Sequence, residues 1–231
     1  MGRIEIRMNP RILILFLILG LVPLIFGHLF LAKGTETRFR ETMGTYLGQS
    51  ATHLQSEVAS YLEDLEVQLA NMARTPEIQA LVKQHEQNPP DEQRFAAEIQ
   101  RIEQEWPTMS SGTSPLLRDI LSNPAARFLR EYNQIVVRFR ELMVADRYGR
   151  LVAASGKTSD YFQADEDWWR IAYLEGTGQR YVSDIVYDDS ARVYSLELSH
   201  PVRDNMTGEV LGVIKAVADS EEVFALLDQP R

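Results

Sequence analysis

The chain has 231 residues, with 24 Lys and Arg against 33 Asp and Glu, so its formal net charge is −9, and it contains no cysteine. This acidic balance, with a pI of about 5.0, argues against nucleic-acid binding, which needs clustered cations to neutralise phosphates. The lack of cysteine excludes disulfide scaffolds, thiol nucleophiles and thiolate metal sites.

Apolar residues are concentrated near the N-terminus, where no charged residue occurs from Ile12 to Ala32. A helix over this run, at about 1.5 Å per residue, spans roughly the 30 Å hydrocarbon core of a bilayer. The end of the run lacks the Ala-x-Ala pattern of a signal-peptide cleavage site. The run therefore predicts a single-pass anchor over 12–32 in the inner (cytoplasmic) membrane. A cytoplasmic N-terminus over 1–11 precedes it, and the acidic remainder is predicted to lie outside the cytoplasm.

A long helix is predicted over 34–85. Apolar residues within it recur at alternating spacings of four and three, which is a heptad-like seam: Leu47, Ala51, Leu54, Val58, Tyr61 and Leu65. Such a seam either packs on the chain's own domain or pairs with a second copy in a homodimer through the 47–72 helix. The pattern alone leaves both interpretations open.

Small helices are predicted over 91–132. Asp91 follows two prolines and is predicted to cap the first of them. The pairs Ser114-Pro115 and Asn123-Pro124 are typical cap and first-turn residues of two further helices.

From Ile135 onwards the sequence takes on a β character, which predicts a core domain over 135–227. A strand ending at Asp146 and its hairpin partner, residues 151–154, are followed by a loop and short helix over 160–173. Three further strands (179–187, 192–202 and 210–217) and a closing helix (221–227) complete the order. The prediction is an α+β fold, in which a five-stranded antiparallel sheet packs on the long N-terminal helix and one transmembrane helix precedes it.

Three stretches carry a family resemblance over about 128–227. They are the hairpin ELMVADRYGRLVAA at 141–154, the aromatic loop DYFQADEDWW at 160–169, and the final strand pair around LSHPV at 198–202 and GEVLGV at 208–213. In this order they resemble the Cache family of extracytoplasmic sensors. The resemblance implies a single PAS-like module whose aromatic loop closes over a small ligand.

The sequence departs from the pattern of the amino-acid-binding Cache members at two positions. Glu166 stands where those members have an Arg that holds the ligand carboxylate. Val217 stands where they have an Asp that holds the ammonium, although a shifted register would offer Asp219. The resemblance therefore implies a cationic or neutral ligand rather than an α-carboxylate.

Aromatic walls with a few polar groups are typical of small-molecule sites. The predicted ligand-binding residues are Tyr161, Asp165, Trp168, Trp169, Tyr173, Asp184, Tyr187 and Tyr194. The aspartates, together with Asp167, would attract a cationic ligand, and the aromatic rings would add cation–π attraction. Alternatively, one Trp belongs to the core and the aspartates cap helices and turns.

No cofactor or metal site is predicted, because the four histidines form no ligand motif and no loop has EF-hand spacing. Nucleophile-elbow, phosphate-loop and dinucleotide motifs are also absent from the sequence, so this region is not predicted to be an enzyme.

The sequence predicts an extracytoplasmic ligand-sensing domain of a bacterial signal-transduction receptor, in which ligand binding is coupled to helix movement. A non-sensing, membrane-anchored scaffold module is the alternative. For the output, the expectation is either a histidine kinase, cyclase or chemoreceptor domain beyond Arg231, or relay through a partner protein.

Overall fold

The computed structural model describes residues 10–136, 138–188 and 193–227 of the chain. Its α-helices are α1 (Pro10–Ala73), α2 (Pro76–Glu86), α3 (Phe95–Glu105), α4 (Pro115–Ser122), α5 (Pro124–Ile135), α6 (Asp167–Tyr173) and α7 (Glu221–Leu227). Its strands are β1 (Phe139–Asp146), β2 (Leu151–Ala154), β3 (Tyr181–Val182), β4 (Val186–Asp188), β5 (Val193–Arg203) and β6 (Val210–Asp219). Short 3₁₀ turns cover Trp106–Thr108 and Leu174–Gly176. The chain divides into two compact units, residues 1–56 and 57–231.

The described part of the first unit, residues 10–56, is helical throughout and belongs to α1. Many of its large apolar side chains are exposed, and Phe30 reaches 81%. Among the described residues, no helix has both the length and the apolar character that crossing a membrane requires. The anchor predicted over 12–32 is therefore not confirmed.

The long helix predicted over 34–85 is in fact two helices, because α1 ends at Ala73 and α2 begins at Pro76. Proline has no N–H to donate and disfavours a helical conformation in the residue before it. Thr75 accordingly adopts an extended conformation, with φ of −66° and ψ of 148°.

The predicted caps of α4 and α5 are present. The Ser114 side chain accepts a hydrogen bond from the Leu117 N–H, and the Asn123 side chain accepts one from the Ala126 N–H. The prediction for Asp91 was wrong, because α3 begins at Phe95. The Asp91 carboxylate instead accepts from the Gln93 N–H in a turn before that helix.

The sheet is antiparallel throughout and runs in the order β2-β1-β6-β5-β3, with β4 also paired to β5. It has six strands rather than the predicted five, since the segment predicted as one strand over 179–187 forms β3 and β4. Between β3 and β4, the Ser183 hydroxyl accepts a hydrogen bond from the Glu197 N–H of β5. This side-chain bond takes the place of a backbone bond in the strand ladder. The first strand begins at Phe139 rather than Ile135, where α5 still continues.

Alternation along the strands gives the sheet two different faces. One face packs on helices α1, α2 and α5 through a continuous apolar cluster that includes Leu65, Leu69, Ile78, Leu129, Leu142, Leu196, Leu198 and Ile214. The predicted packing of the sheet on the long N-terminal helix is thus confirmed for the part of α1 that follows residue 57. The other face carries Met143 and Val213 and packs on α3, α4 and α6.

The hairpin between β1 and β2 holds the loop at 160–166 in place. Gly149, at φ +80°, closes the hairpin turn, and a Cβ on it would lie 2.3 Å from the Ala164 Cβ. Backbone hydrogen bonds join Leu151 N to Tyr161 O at 3.0 Å and Gln163 N to Gly149 O at 2.8 Å. The loop is therefore bound to the end of the sheet, directly before α6.

We expect Asn123→Ala to lower the free energy of unfolding by about 2–4 kcal/mol. The substitution removes a helix cap worth about 1 kcal/mol and leaves the Val152 carbonyl without its donor, at a cost of about 1–3 kcal/mol. The Asn123 Nδ2 lies 2.8 Å from that carbonyl oxygen, and the residue is 9% exposed. Urea denaturation measures the change. Ser114→Ala, which removes a cap alone, should cost only about 1 kcal/mol, and equal losses in the two variants would contradict the role of the second bond.

Candidate functional site

Two adjoining cavities lie over the sheet face opposite α1. One encloses about 460 Å³ between α6 and strands β3, β4 and β5, and its lining includes Trp168, Tyr181 and Glu197. The second encloses about 420 Å³ over β1, β5 and β6, and its lining includes Glu141 and Lys215. Because Ser195 and Glu197 line both cavities, we treat the two as one groove, the sheet groove. Each volume falls in the range of small-molecule pockets.

Strand register determines which polar groups meet on the floor of the sheet groove. Glu141 of β1 and Glu197 of β5 both pair with Val217 of β6, so the two carboxylates flank one apolar residue. Lys215 pairs with Met143 on one side and Ser199 on the other, one step further along the same face.

Lys215 carries the most deeply buried positive charge of the groove and is 8% exposed. Its Nζ lies 2.7 Å from Glu197 Oε1 and 5.1 Å from the centroid of the Trp168 ring. Burial of a charge is costly unless a partner compensates for it. The carboxylate and the aromatic face provide that compensation, and they hold the Lys215 ammonium at the junction of the two cavities.

Burial, and after it the neighbouring charges, changes the titration of two carboxylates of the sheet groove. Burial raises the pKa of Glu141, the charges of Glu197 and Asp160 raise it further, and the Lys215 charge opposes them. The pKa of Glu166 is also raised, first by burial and then by the negative charge of Asp160. Both carboxylates therefore bind a proton more readily than unperturbed ones, chiefly because burial disfavours their ionised form.

Two buried polar atoms next to the groove have no hydrogen-bond partner among the described residues. They are the indole Nε1 of Trp168 and the Oγ of Ser199. Most buried polar atoms in native proteins are paired, so unpaired ones call for an explanation. Trp168 lines the first cavity, whereas Ser199 pairs with Lys215 in the sheet and lies outside the lining of both cavities.

The predicted aromatic residues at 161–173 divide between the groove and the core. Trp168 lines the sheet groove. Trp169 stacks on Tyr173 with ring centroids 4.7 Å apart, and its Nε1 donates to the Asp146 carbonyl at 3.2 Å. Tyr161 packs on Trp106 with centroids 5.5 Å apart, and burial raises its pKa.

The remaining predicted residues lie outside the lining of either cavity. Tyr187 and Tyr194 are both exposed and pack on each other with centroids 4.9 Å apart. Asp165 and Asp184 are also exposed. Asp167 is exposed too, but it lines the groove beside Glu166, and its carboxylate forms an ion pair with Arg170.

Sequence reasoning missed the charged floor of the groove, namely Glu141, Glu197 and Lys215. A signal for it was present, because Lys215 is a single charge within a buried run from Val210 to Ala216. Of the positions that depart from the Cache pattern, Val217 lines the second cavity, and Asp219 instead pairs with Arg140, with Nε and Oδ2 3.0 Å apart.

No family model and no curated protein matches this chain. Among solved structures, it resembles the ligand-binding domain of the amino-acid chemoreceptor PctC of Pseudomonas aeruginosa PAO1 in complex with GABA, at 18% identity and a TM-score of 0.48, covering 80% of this chain and 64% of that one. It also resembles the sensor domain of the V. cholerae histidine kinase DctB, at 22% identity and a TM-score of 0.35, over 65% of this chain and 60% of that one. It resembles the sensory domain of the Campylobacter jejuni chemoreceptor Tlp3 at 15% identity and a TM-score of 0.39, covering 74% of this chain and 68% of that one. These three structures are the ligand-binding or sensor domains of two chemoreceptors and a histidine kinase. The chain thus spans less than two thirds of the PctC and DctB structures.

We expect Glu141→Gln to stabilise the protein at pH 7.5. The raised pKa of Glu141 means that the folded state disfavours the ionised form of this side chain. The free energy of unfolding therefore decreases as the pH rises above the ordinary pKa of 4.5 and Glu141 loses its proton. The neutral glutamine avoids this loss, and its advantage should shrink as the pH approaches 4.5. Urea denaturation at several pH values measures the difference. Glu63→Gln, an exposed change on α1, is the control, and an advantage that does not depend on pH would contradict the assignment.

Proposed function

We propose that this chain is the extracytoplasmic, ligand-sensing region of a bacterial signal-transduction receptor. The sheet groove is its binding site, and the ligand is a small molecule that carries a cationic group. The observation that carries the proposal is the charge of the groove lining. Four carboxylates, Glu141, Glu166, Asp167 and Glu197, line it against three cations, and of these only Lys215 is buried, while Arg140 and Lys157 are exposed. No catalytic step is assigned to this region.

The charges of the groove favour a cation over an anion. Lys215 already contacts Glu197 and the Trp168 ring, so its charge is largely compensated. Glu166 and Asp167 line the first cavity, whose lining includes no lysine or arginine. Burial first and then the charge of Asp160 raise the pKa of Glu166, so a ligand ammonium there would compensate a carboxylate whose ionised form is disfavoured. The Trp168 ring, over which Lys215 already lies, is an aromatic group of this cavity that offers cation–π attraction. This agrees with the cationic or neutral ligand that the sequence predicts.

A scaffold module without a ligand is the competing function, and it would fill this face of the sheet with side chains. The cavity of about 460 Å³ beside Trp168 instead favours a ligand-binding role. The unpaired Trp168 Nε1 and Ser199 Oγ support the same role, because a filled scaffold core has no use for unsatisfied polar atoms.

Coupling of the groove to α1 follows from strand alternation. Glu197 faces the groove, whereas its neighbours Leu196 and Leu198 face the cluster that contains Leu65 and Leu69 of α1. A ligand that binds one arrangement of β5 more tightly than another therefore also biases the packing of α1. We propose this as the route from ligand to signal.

We include membrane attachment and dimerisation in the proposal because the sequence predicts both. Attachment through 12–32 rests on the uncharged run alone. Leu65, Leu69 and Met72 are buried against the chain's own sheet, so this end of the seam is already occupied. A partner helix in a homodimer would therefore contact the exposed earlier part of the 47–72 helix, which includes Leu47.

Isothermal titration of the full chain should reveal saturable binding of small amines. The probes are primary amines, quaternary amines and diamines, with carboxylates of the same carbon skeletons as controls. We expect Glu166→Gln to weaken amine binding by about tenfold, since a hydrogen bond to a charged group contributes about 1.5–3 kcal/mol and 1.4 kcal/mol corresponds to a factor of ten.

Asp165→Asn is the matched control for that variant. It changes an exposed carboxylate next to Glu166 that lies outside the lining of the groove, so its affinity should stay within about twofold of the unmodified chain, as for a weak surface charge. Trp168→Phe should also weaken amine binding, because phenylalanine is a weaker cation–π partner than tryptophan. The proposal fails if no amine binds, or if carboxylates bind as tightly as amines of the same skeleton.

Hydrogen–deuterium exchange tests the proposed coupling. The amine that binds best should raise protection in β5 and also in the 65–72 stretch of α1, because both contribute to one apolar cluster. The same amine at the same concentration should change little in Trp168→Phe. Protection changes restricted to residues around the groove would exclude the coupling while leaving the binding site intact.

A further inference from the structure

A separate cavity lies on the α1 side of the sheet, at the end of β5. It encloses about 520 Å³, and three parts of the chain line it: the last turns of α1 with Arg74, the strand segment from His200 to Arg203, and the following turn with Asp204 and Gly208. All three belong to the second compact unit. We refer to it as the basic cavity.

The positive charges of the basic cavity are not neutralised by carboxylates. Arg203 donates to the carbonyl oxygens of Thr177 at 2.6 Å, Gly178 at 2.9 Å and Gly208 at 3.2 Å, which hold its guanidinium in place without cancelling its charge. An arginine has five N–H donors, so some remain available. The Arg74 side chain is exposed and has neither a hydrogen bond nor an ion pair within the described part of the chain.

The one carboxylate in the lining is already engaged. Asp204 Oδ2 lies 3.0 Å from Lys83 Nζ, and its Oδ1 accepts from the Met206 and Thr207 N–H groups. These bonds and the Lys83 charge lower the pKa of Asp204. Asp204 therefore stays ionised. Its negative charge is compensated by the Lys83 ammonium and by the N–H groups of Met206 and Thr207.

His200 lies in the same positive field as the two arginines. Burial lowers the pKa of its imidazole first, and the charges of Arg203, Arg74 and Arg180 lower it further. Arg180 itself forms an ion pair with Glu66 of α1. The imidazole thus stays neutral near pH 7 in a positive field, although the chain as a whole carries a net charge of −9.

We propose that the basic cavity binds a small oxyanion, such as a sulfate, phosphate or carboxylate group, through Arg74, His200 and Arg203. Guanidinium groups form charge-assisted hydrogen bonds to such anions, and a local positive field concentrates them despite an overall acidic surface. A bound anion would also favour the protonated imidazole, which adds a further donor. The site is distinct from the sheet groove, on the opposite face of the sheet.

Inorganic sulfate is the probe, because its charge does not change between pH 5 and 8. Titration of the full chain at constant ionic strength, with sodium chloride as the balancing salt, should show saturable binding. We expect Arg74→Gln to weaken sulfate binding by about tenfold, the effect of one charged hydrogen bond. Arg118→Gln, an exposed arginine on α4, is the matched control and should bind as the unmodified chain does.

Proton NMR provides a second readout that a purely structural role would not affect. Sulfate should raise the pKa of the His200 imidazole, whose signal among the four histidines is identified by its loss in His200→Gln. The shift should be smaller in Arg74→Gln. The proposal is overturned if sulfate does not bind, if Arg118→Gln weakens binding as much as Arg74→Gln, or if the His200 titration is unchanged by sulfate. Because the amine titrations use a different cavity, either site can fail while the other stands.

Discussion

Strand β6 lies between β1 and β5 and is buried along nearly its whole length, so its pairing decides the direction of almost every side chain in the sheet. Each strand alternates its side chains between two faces, and a slip of one residue would exchange the faces completely. In the observed register, Ile214 and Ala216 face α1, α2 and α5. Val213, Lys215 and Val217 lie on the opposite face, which carries the groove. The apolar cluster against α1 and the charged groove are thus two consequences of one pairing.

The groove is polar at a cost to stability. Lys215 is buried, burial and neighbouring charges raise the pKa of Glu141 and of Glu166, and two polar atoms lack partners among the described residues. A core optimised for stability alone would place apolar residues at these positions. Proteins tolerate such local costs at functional sites, where a ligand supplies the missing interactions.

The loop at 160–166 lies between the β1–β2 hairpin and helix α6. Its backbone bonds to the β1–β2 hairpin hold one end, and α6 holds the other by placing Trp168 over Lys215. The adjacent Trp169 points elsewhere and stacks on Tyr173, because neighbouring residues on a helix differ by about 100° in direction. One tryptophan therefore serves the groove and the other anchors the helix.

The sequence by itself determined much of the local structure. Ser114 and Asn123 cap helices because their side chains bond to the next turn, and the turn at Gly149 needs a residue that tolerates a positive φ. These are short-range effects that a residue's own neighbours settle. The same holds for the antiparallel sheet packed on a long helix, which the order and alternation of the segments predict.

Only the tertiary structure decided which residues share a site. Glu141, Glu197 and Lys215 are distant in sequence and meet because β1, β5 and β6 pair in one register. Tyr187 and Tyr194, which the sequence predicts as ligand-binding residues, pack on each other at the edge of the sheet instead. The basic cavity likewise joins Arg74 at the end of α1 to His200 and Arg203 on β5. Sequence patterns record the direction of each side chain relative to its own strand or helix, whereas a site depends on which strands and helices become neighbours.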